Sequence, residues 1–302
     1  MSDLLNAVVL LANFVFIPAL SYGSQLALGA LGVTLVFGIL RFANFAHGDL
    51  MAFGTMFTIL LTWLFQSYGI NFGFLPTALL ALPFAIIITI IFSLLVDRYV
   101  FRFYRLKKSP PVTFAMVSIG VMFITNAIVR IIIGPNDRRF FDGEKFIIKV
   151  REFKNLTGLN EGLAIKSTQV ITIGITILLV AILFWFLQRT RTGKSMRAFS
   201  DNEDLALLSG INPDRVVIFT WLIVAALATT AGVLYGLDKS FKPFTYFSIL
   251  LPIFAAAIVG GIGSPIGAVV GGYVIAFSEI MVTYAYKKFF IYLLPKSLEP
   301  EG

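Results

Sequence analysis

Apolar runs long enough to cross a bilayer recur along the whole chain, with only short polar breaks between them. About 20 apolar residues in helical conformation span the hydrocarbon core. Inside that core every peptide group must find its partner within the protein. A chain written this way is expected to be all-α, a polytopic transmembrane helix bundle. The runs fall at residues 4–20, 21–40, 50–66, 73–96, 112–133, 169–187, 216–237 and 248–285. The last is too long for one span and breaks at Gly260-Gly261-Ile262-Gly263-Ser264-Pro265, giving 248–262 and 265–285. The expectation is therefore about eight to nine apolar segments. Segments 4–20 and 248–262 are short, so one or two are expected to be broken or re-entrant. No soluble domain interrupts the runs, and residues 1–302 read as a single transmembrane domain.

Composition narrows the chemistry. Hydrophobic residues make up 58% of the chain and charged residues 13%, against about 25% charged in an ordinary soluble domain. There is no cysteine, which excludes a disulfide framework, a thiolate metal site and a cysteine nucleophile. The single histidine is His47, too few for a histidine-rich metal site. No catalytic residue, metal or cofactor is expected of this chain. Its net charge of +8 reads as basic cytoplasmic loops. Nucleic acid is not expected as a partner, because no basic stretch is interleaved with stacking aromatics. The chain opens Met1-Ser2-Asp3, acidic where a secretory signal would be basic, so 4–20 is read as a retained helix.

The polar breaks give an orientation. Residues 97–111 carry Arg98, Arg102, Arg105, Lys107 and Lys108 against Asp97, a charge excess that marks a cytoplasmic loop. Residues 188–215 lie two spans later and carry Arg189, Arg191, Lys194, Arg197 and Arg215. Both loops are thus expected on the cytoplasmic side. Residues 134–168 are then external, as a short hairpin or an ordered cap.

Within the second loop, Ser200-Asp201-Asn202-Glu203-Asp204 precedes an aliphatic run that ends at Gly210. Ser200 with Glu203 three residues on matches a capping box. The acidic residues suit the positive end of a helix dipole. Gly210 suits the left-handed residue that ends a helix, and Asn212-Pro213 restarts one. The pattern predicts a separate helix of about nine residues, roughly 13 Å long. It is either a capped surface helix or a coupling helix that docks on a cytoplasmic ATPase.

Arg41 to Asp49 places Arg41, Asn44, His47 and Asp49 between two apolar runs. Ionisable groups at membrane depth are costly and tend to be functional. Three readings stand: an interfacial connection with Asp49 capping the next helix, irregular backbone lining a translocation path, or a His–Asp proton relay. Gly263, Gly267 and Gly271 recur every four residues beyond Gly260 and Gly261. They make a smooth face for close helix packing, in a segment whose Pro265 also suggests a broken helix. Glu279 is a lone carboxylate within the last run. Gly193-Lys194-Ser195 is not a phosphate-binding loop, since Gln188 stands where its first glycine is needed and no strand precedes it.

Three blocks resemble the permease subunits of branched-chain amino acid ABC importers of the LivH type. The first is Leu35 to Asp49, with Asn44-Phe45-Ala46-His47-Gly48-Asp49 as the signature. The second is Thr192 to Val216, with Leu208, Gly210, Ile211, Asn212 and Asp214-Arg215-Val216 in register. The third is Val259 to Glu279, with Gly260-Gly261-Ile262-Gly263-Ser264. The resemblance runs from about residue 18 to about 285. It implies a multi-pass protein of a bacterial inner membrane that pairs with a second homologous permease. Two cytoplasmic ATPase subunits and a periplasmic or extracellular substrate-binding protein complete the assembly, and leucine, isoleucine or valine is carried. It implies that Ser200 to Gly210 is the ATPase-coupling helix, and that Asn44, His47, Asp49 and Glu279 are candidates for the translocation path. Urea or short amides as cargo, and an ion-coupled transporter as a rival class, remain alternatives. The resemblance also implies a further C-terminal helix, which the chain is expected to lack.

Overall fold

A computed structural model describes residues 2–70, 73, 75–140, 146–157 and 161–293. In chain order it contains α1 (Ser2–Leu11), a π-helical turn (Ala12–Phe16), α2 (Ile17–Leu40), α3 (His47–Ser67) and α4 (Ala78–Val96). A second π-helical turn (Asp97–Phe101) leads to α5 (Arg102–Leu106), followed by α6 (Pro111–Ile133), β1 (Phe146–Ile148), α7 (Val150–Thr157) and β2 (Ile165–Lys166). The chain continues through α8 (Ser167–Arg189), α9 (Arg191–Asp201), α10 (Glu203–Leu208), α11 (Pro213–Lys239), α12 (Thr245–Val259) and α13 (Pro265–Leu293). Among the described residues, 7 helical rods are long and apolar enough to cross a membrane, with α12 a shorter apolar helix beside them. The protein is an all-α, multi-pass membrane bundle. The expected lack of a further C-terminal helix bears on the chain's end, where residues 294–302 lie outside the described residues.

The segments read separately as 4–20 and 21–40 form one rod, spanning Val8–Leu40. Pro18 lies inside this rod and has no N–H to give the preceding turn, and a π-helical turn, Ala12–Phe16, stands directly before it. Within this rod Ser24 Oγ donates to Leu20 O at 2.7 Å. Residues 134–168, read as a hairpin or cap, contain β1 and β2 paired antiparallel, with α7 between them.

α2 is the axis of the bundle. It packs on α13, α11, α12 and α8, and nearly all of it is buried. Small residues let its neighbours approach. A Cβ at Gly23 would meet the Tyr273 ring at 2.6 Å, one at Gly29 would meet Ile253 Cδ1 at 2.6 Å, and one at Gly272 would meet Ala27 N at 2.6 Å. α4, α6 and α8 form the outer layer and present Ile87, Ile91, Phe123, Ile131, Ile177 and Trp185 outward, as lipid contact requires.

The two polar loops, 97–111 and 188–215, lie at the same end of the bundle, where Arg102 pairs with Asp214 at 3.4 Å. Asp97 is buried there, and Arg105 donates to its two carboxylate oxygens at 2.9 and 3.1 Å. Trp221 Nε1 adds a third bond at 2.9 Å. A carboxylate buried this far must be paired, so this node fastens the start of α11 to the base of α4. The opposite end is closed by residues 138–140: Arg138 and Phe241 exchange backbone hydrogen bonds of 2.9 Å, while Trp63 and Gln66 donate to the carbonyls of Arg139 and Phe140.

Two helices end on left-handed residues that are not glycine, Arg41 at φ +58 and Ser240 at φ +81. Each is followed by a short irregular stretch leading to a helix that starts within the protein. The free peptide groups of 41–46 are met locally. Phe45 N donates to Ser118 Oγ at 3.1 Å, Ala46 N to Asn44 Oδ1 at 3.1 Å and His47 N to Asn44 O at 3.3 Å. Phe42 packs between Phe101 and Phe114, with ring centroids at 5.1 Å from each.

Ser118→Ala is expected to strand the Phe45 N–H, at a cost of about 1–3 kcal/mol. Thermal unfolding of the purified protein in detergent measures it. An unchanged midpoint would mean that Ser118 does not support the break.

Candidate functional site

The signature residues converge where α3 begins. Asn44 is buried and holds the backbone turn described above. His47 is fully buried, and the Cε1 edge of its ring faces α2: a Cβ at Gly32 would meet His47 Cε1 at 2.5 Å. Neither ring nitrogen makes an aligned hydrogen bond, although the Gly29 backbone is close by. A Cβ at Gly48 would meet the Tyr246 carbonyl oxygen at 2.5 Å, so the first turn of α3 abuts the first turn of α12. Tyr246 in turn donates to Gly232 O on α11 at 2.8 Å. This junction therefore ties together α2, α3, α11 and α12.

Asp49 does not cap a helix beginning at Leu50, because α3 already begins at His47. It lies in the first turn, where the helix dipole favours negative charge, and accepts 2.7 Å from Asn126 Nδ2 on α6. Arg130, one turn beyond Asn126 and exposed, is near enough to attract it. Asn126 is a lone amide in an apolar helix. Such a group is expensive unless partnered, and that cost was the signal for it.

At the end bearing the polar loops, the predicted nine-residue helix from Ser200 is corrected. Ser200 and Asp201 belong to α9, and α10 runs only over Glu203–Leu208. The capping box does not form. Asn202 takes an extended conformation and accepts from Leu205 N at 3.0 Å, so it is the cap. Ser200 Oγ is drawn instead to Gly38 O at 3.0 Å, and Arg41 donates to the Ser200 carbonyl. Gly210 has φ +78, and Ile211 N bonds back to Ala206 O at 3.1 Å, closing α10 as expected of a left-handed terminus. Asn212 accepts from Arg215 N at 3.3 Å and starts α11 with Pro213 at its head. Met196 and Phe199 anchor α9 in the core, whereas α10 exposes Leu205, Leu207 and Leu208, the last at 85%.

The glycine-rich segment is the turn of a helical hairpin. Gly267 packs on Gly260, and Gly271 on Ala256, so α12 and α13 touch backbone to backbone. Gly261 and Gly263 have open space around them and φ of +92 and +89, a conformation the turn needs and other residues resist.

Two cavities flank the α2–α13 contact. One, of about 710 Å³, lies at the end away from the basic loops and is walled by Phe14, Tyr22, Tyr235, Asp238, Lys239 and Glu279 among others. The second, of about 680 Å³, lies at the basic end beside Thr34, Gly38, Lys194, Arg197, Ser200 and Gly263. Between them α2 and α13 close on Gly23, Ala27 and Gly272, and the Ser24 and Tyr273 hydroxyls bond at 2.9 Å. Glu279 therefore stands apart from Asn44, His47 and Asp49: it is exposed in the first cavity, whereas they are buried. Tyr22, Tyr235 and Asp238 were missed in the sequence because they lie on helices distant along the chain.

The family described as branched-chain amino acid transport system / permease component matches residues 15–294. This chain belongs to that family. It is similar to the high-affinity branched-chain amino acid transport system permease protein LivH of Escherichia coli strain K12, 31% identical over 266 residues, covering 86% of this chain and 82% of the relative. It is also similar to BraD of Pseudomonas aeruginosa, 30% identical over 268 residues, covering 87% and 83%. A shorter likeness, 31% over 106 residues, covers 33% of this chain and 31% of the autoinducer 2 import system permease protein LsrC of Escherichia coli. No solved structure matches.

In this permease-family chain the α3–α6 contact is open to a direct test. Asn126→Leu is expected to destabilise the protein by about 1.5–3 kcal/mol, since the bond is to a charged group. Asp49→Leu combined with it should cost less than the sum of the single changes. Additive effects in detergent unfolding would show that the two side chains do not depend on one another.

Proposed function

We propose that this chain is one permease subunit of an ATP-driven importer of branched-chain amino acids, leucine, isoleucine and valine. Membership of the permease family supports the reading, as do relatives of that description matched over most of their length. The observation in this chain that carries it is α10. A six-residue helix outside the spans is too short to be stable alone, yet it is capped at both ends and presents three exposed leucines beside Glu203 and Asp204. An apolar ridge with an acidic edge suits insertion into a groove of another protein.

On this reading Asn202 to Gly210 is the coupling helix. Ser200 and Asp201 act as its base, clamped to α2 through Gly38 and Arg41. The loops at 97–111 and 188–215 are cytoplasmic, the region 134–168 is external, and the membrane is a bacterial inner membrane. Two ATPase subunits bind the basic end and a second homologous permease completes the path. A binding protein delivers substrate at the other end. The chain itself is not an enzyme, and ATP hydrolysis belongs to the ATPase partners. Glu279 meets substrate in the first cavity. Asn44, His47 and Asp49 act at the junction of α2, α3, α11 and α12, where a rearrangement of the bundle would alter the path. The hairpin around Gly260, Gly261, Gly263, Gly267 and Gly271 lies between α10's anchorage on α2 and that junction, and carries the motion.

The test is uptake of labelled leucine by a permease-deleted bacterium expressing this chain with its neighbouring permease, ATPases and binding protein. Uptake is expected to require ATP, to survive an ion-gradient uncoupler, and to be competed by valine but not by urea or sugars. Uptake abolished by the uncoupler alone would overturn the reading. Leu208→Asp is expected to leave membrane levels intact while weakening ATPase association by about 2 kcal/mol or more, over tenfold in affinity. Co-purification of the ATPase at wild-type levels would exclude α10 as the docking element.

A further inference from the structure

We infer that the cavity at the basic end, walled by α2, α9 and the start of α13, binds a phosphate anion, supplied by the headgroup of an acidic phospholipid in the adjoining leaflet. The inference does not depend on what the chain transports. The cavity has a volume of about 680 Å³, in the range of small-molecule sites. α2 ends at Leu40 and α8 at Arg189, and α13 begins at Pro265. Residues at all three ends, Gly38, Leu187 and Pro265, line the cavity. It therefore lies where the spans leave the hydrocarbon, at the level of the headgroups.

The walls favour an anion. Lys194 and Arg197 stand three residues apart on one face of α9, and both line the cavity. Among the described residues neither side chain enters an ion pair or a hydrogen bond. The helix that carries them is fixed in place: Met196 and Phe199 are buried in the core, and Ser200 is held by Gly38 and Arg41. Asp201 is the carboxylate in the lining. Arg41, which donates to the carbonyl of the preceding residue, adds a cation on that side. The start of α13 belongs to the same wall through Gly263, Ser264 and Pro265, and the positive end of its dipole adds to the attraction for negative charge. Thr34, 1% exposed, is also in the lining, and its hydroxyl has no hydrogen-bond partner. Phosphate oxygens are strong acceptors for such cations, and basic pockets between spans at this level suit acidic lipid heads.

The flank of α13 distinguishes an anion free in water from one carried on a lipid. Gly267 and Gly271 face α12, while Gly272 and Tyr273 face α2. The face left over carries Ile266, Val270 and Val274, one turn apart and exposed, and it starts beside Pro265 in the cavity wall. Leu35, Ile39 and Leu187 add apolar surface within the cavity itself. An acyl chain lying along α13 covers the aliphatic strip while its headgroup reaches Lys194 and Arg197. A basic face that is merely solvated needs neither the cavity nor the strip. A headgroup held here bridges α9 and the turn at Gly263, which both rest on Gly38.

The experiment uses the full chain, purified with any subunits that accompany it and placed in nanodiscs of phosphatidylcholine mixed with phosphatidylglycerol. After mild extraction the lipid retained is measured by native mass spectrometry. Phosphatidylglycerol is expected to be retained over phosphatidylcholine. Lys194→Ala combined with Arg197→Ala should lower that retention at least about tenfold, as expected for loss of charge-assisted contacts, while the protein elutes normally on size exclusion. Lys194→Arg with Arg197→Lys keeps both charges and should keep most of the retention. Arg98→Ala removes a cation from the same end but outside the cavity lining, and should leave retention unchanged. Inorganic phosphate and glycerol phosphate are added as competitors. Lipid that stays bound in their presence supports the phospholipid as the source. Displacement by either, with the same dependence on Lys194 and Arg197, keeps the phosphate site and overturns its lipid source. Phosphatidylglycerol retained no better than phosphatidylcholine, with no phosphate bound, overturns the site. Retention lowered as much by Arg98→Ala as by the double alanine variant overturns it too, since the attraction would then belong to the whole basic end.

Discussion

A bilayer offers no hydrogen-bond partner to a peptide group, and this constraint governs the rest of the molecule. It makes the spans helical, and it limits where helices can break. The break at 41–46 exists because Ser118, Asn44 and the last turn of α2 take up its free backbone groups. The break after Ser240 exists because residues 138 and 241 exchange backbone bonds. Each break places the start of another helix inside the protein, and the starts of α3 and α12 meet at Gly48 and Tyr246. The protein's most polar buried region thus follows from the need to satisfy irregular backbone where no water is available.

Small residues set the second condition. With lipid outside, no hydrophobic gain favours helix association, and close van der Waals contact carries more of the load. α2 meets α13 through Gly23, Ala27 and Gly272, while α12 meets α13 through Gly260, Gly267 and Gly271. These contacts are tight, and apart from the Tyr273 ring on Gly23 they are made by small residues and backbone. Such a seam can part and re-form with little repacking, as a wall between two cavities in a transport protein must.

The basic end joins the water-exposed helices to this interior. Arg41 ends α2 and donates to the carbonyl of Ser200, whose hydroxyl donates to Gly38. Gly38 also approaches Gly263. A displacement of α9 and α10 is therefore passed to α2 and to the turn of the α12–α13 hairpin together. This contiguity gives a physical basis for coupling between an exposed helix and the core.

The sequence by itself determined the helical class, most of the spans and the places where they fail. Length and apolarity of a run are local properties, and a bilayer reads them directly. Gly210 and Asn212-Pro213 behaved as their local chemistry predicts for the same reason. Tertiary structure decided everything that depends on partners distant in the chain. Ser200 left its expected capping role because Gly38, on another helix, offered it a carbonyl. Segments 4–20 and 21–40 joined into one rod across a π-helical turn. Asp49 found Asn126, and Glu279 came to share a cavity with Tyr22 and Asp238. No periodicity records such meetings, since each depends on how close two helix backbones are allowed to come.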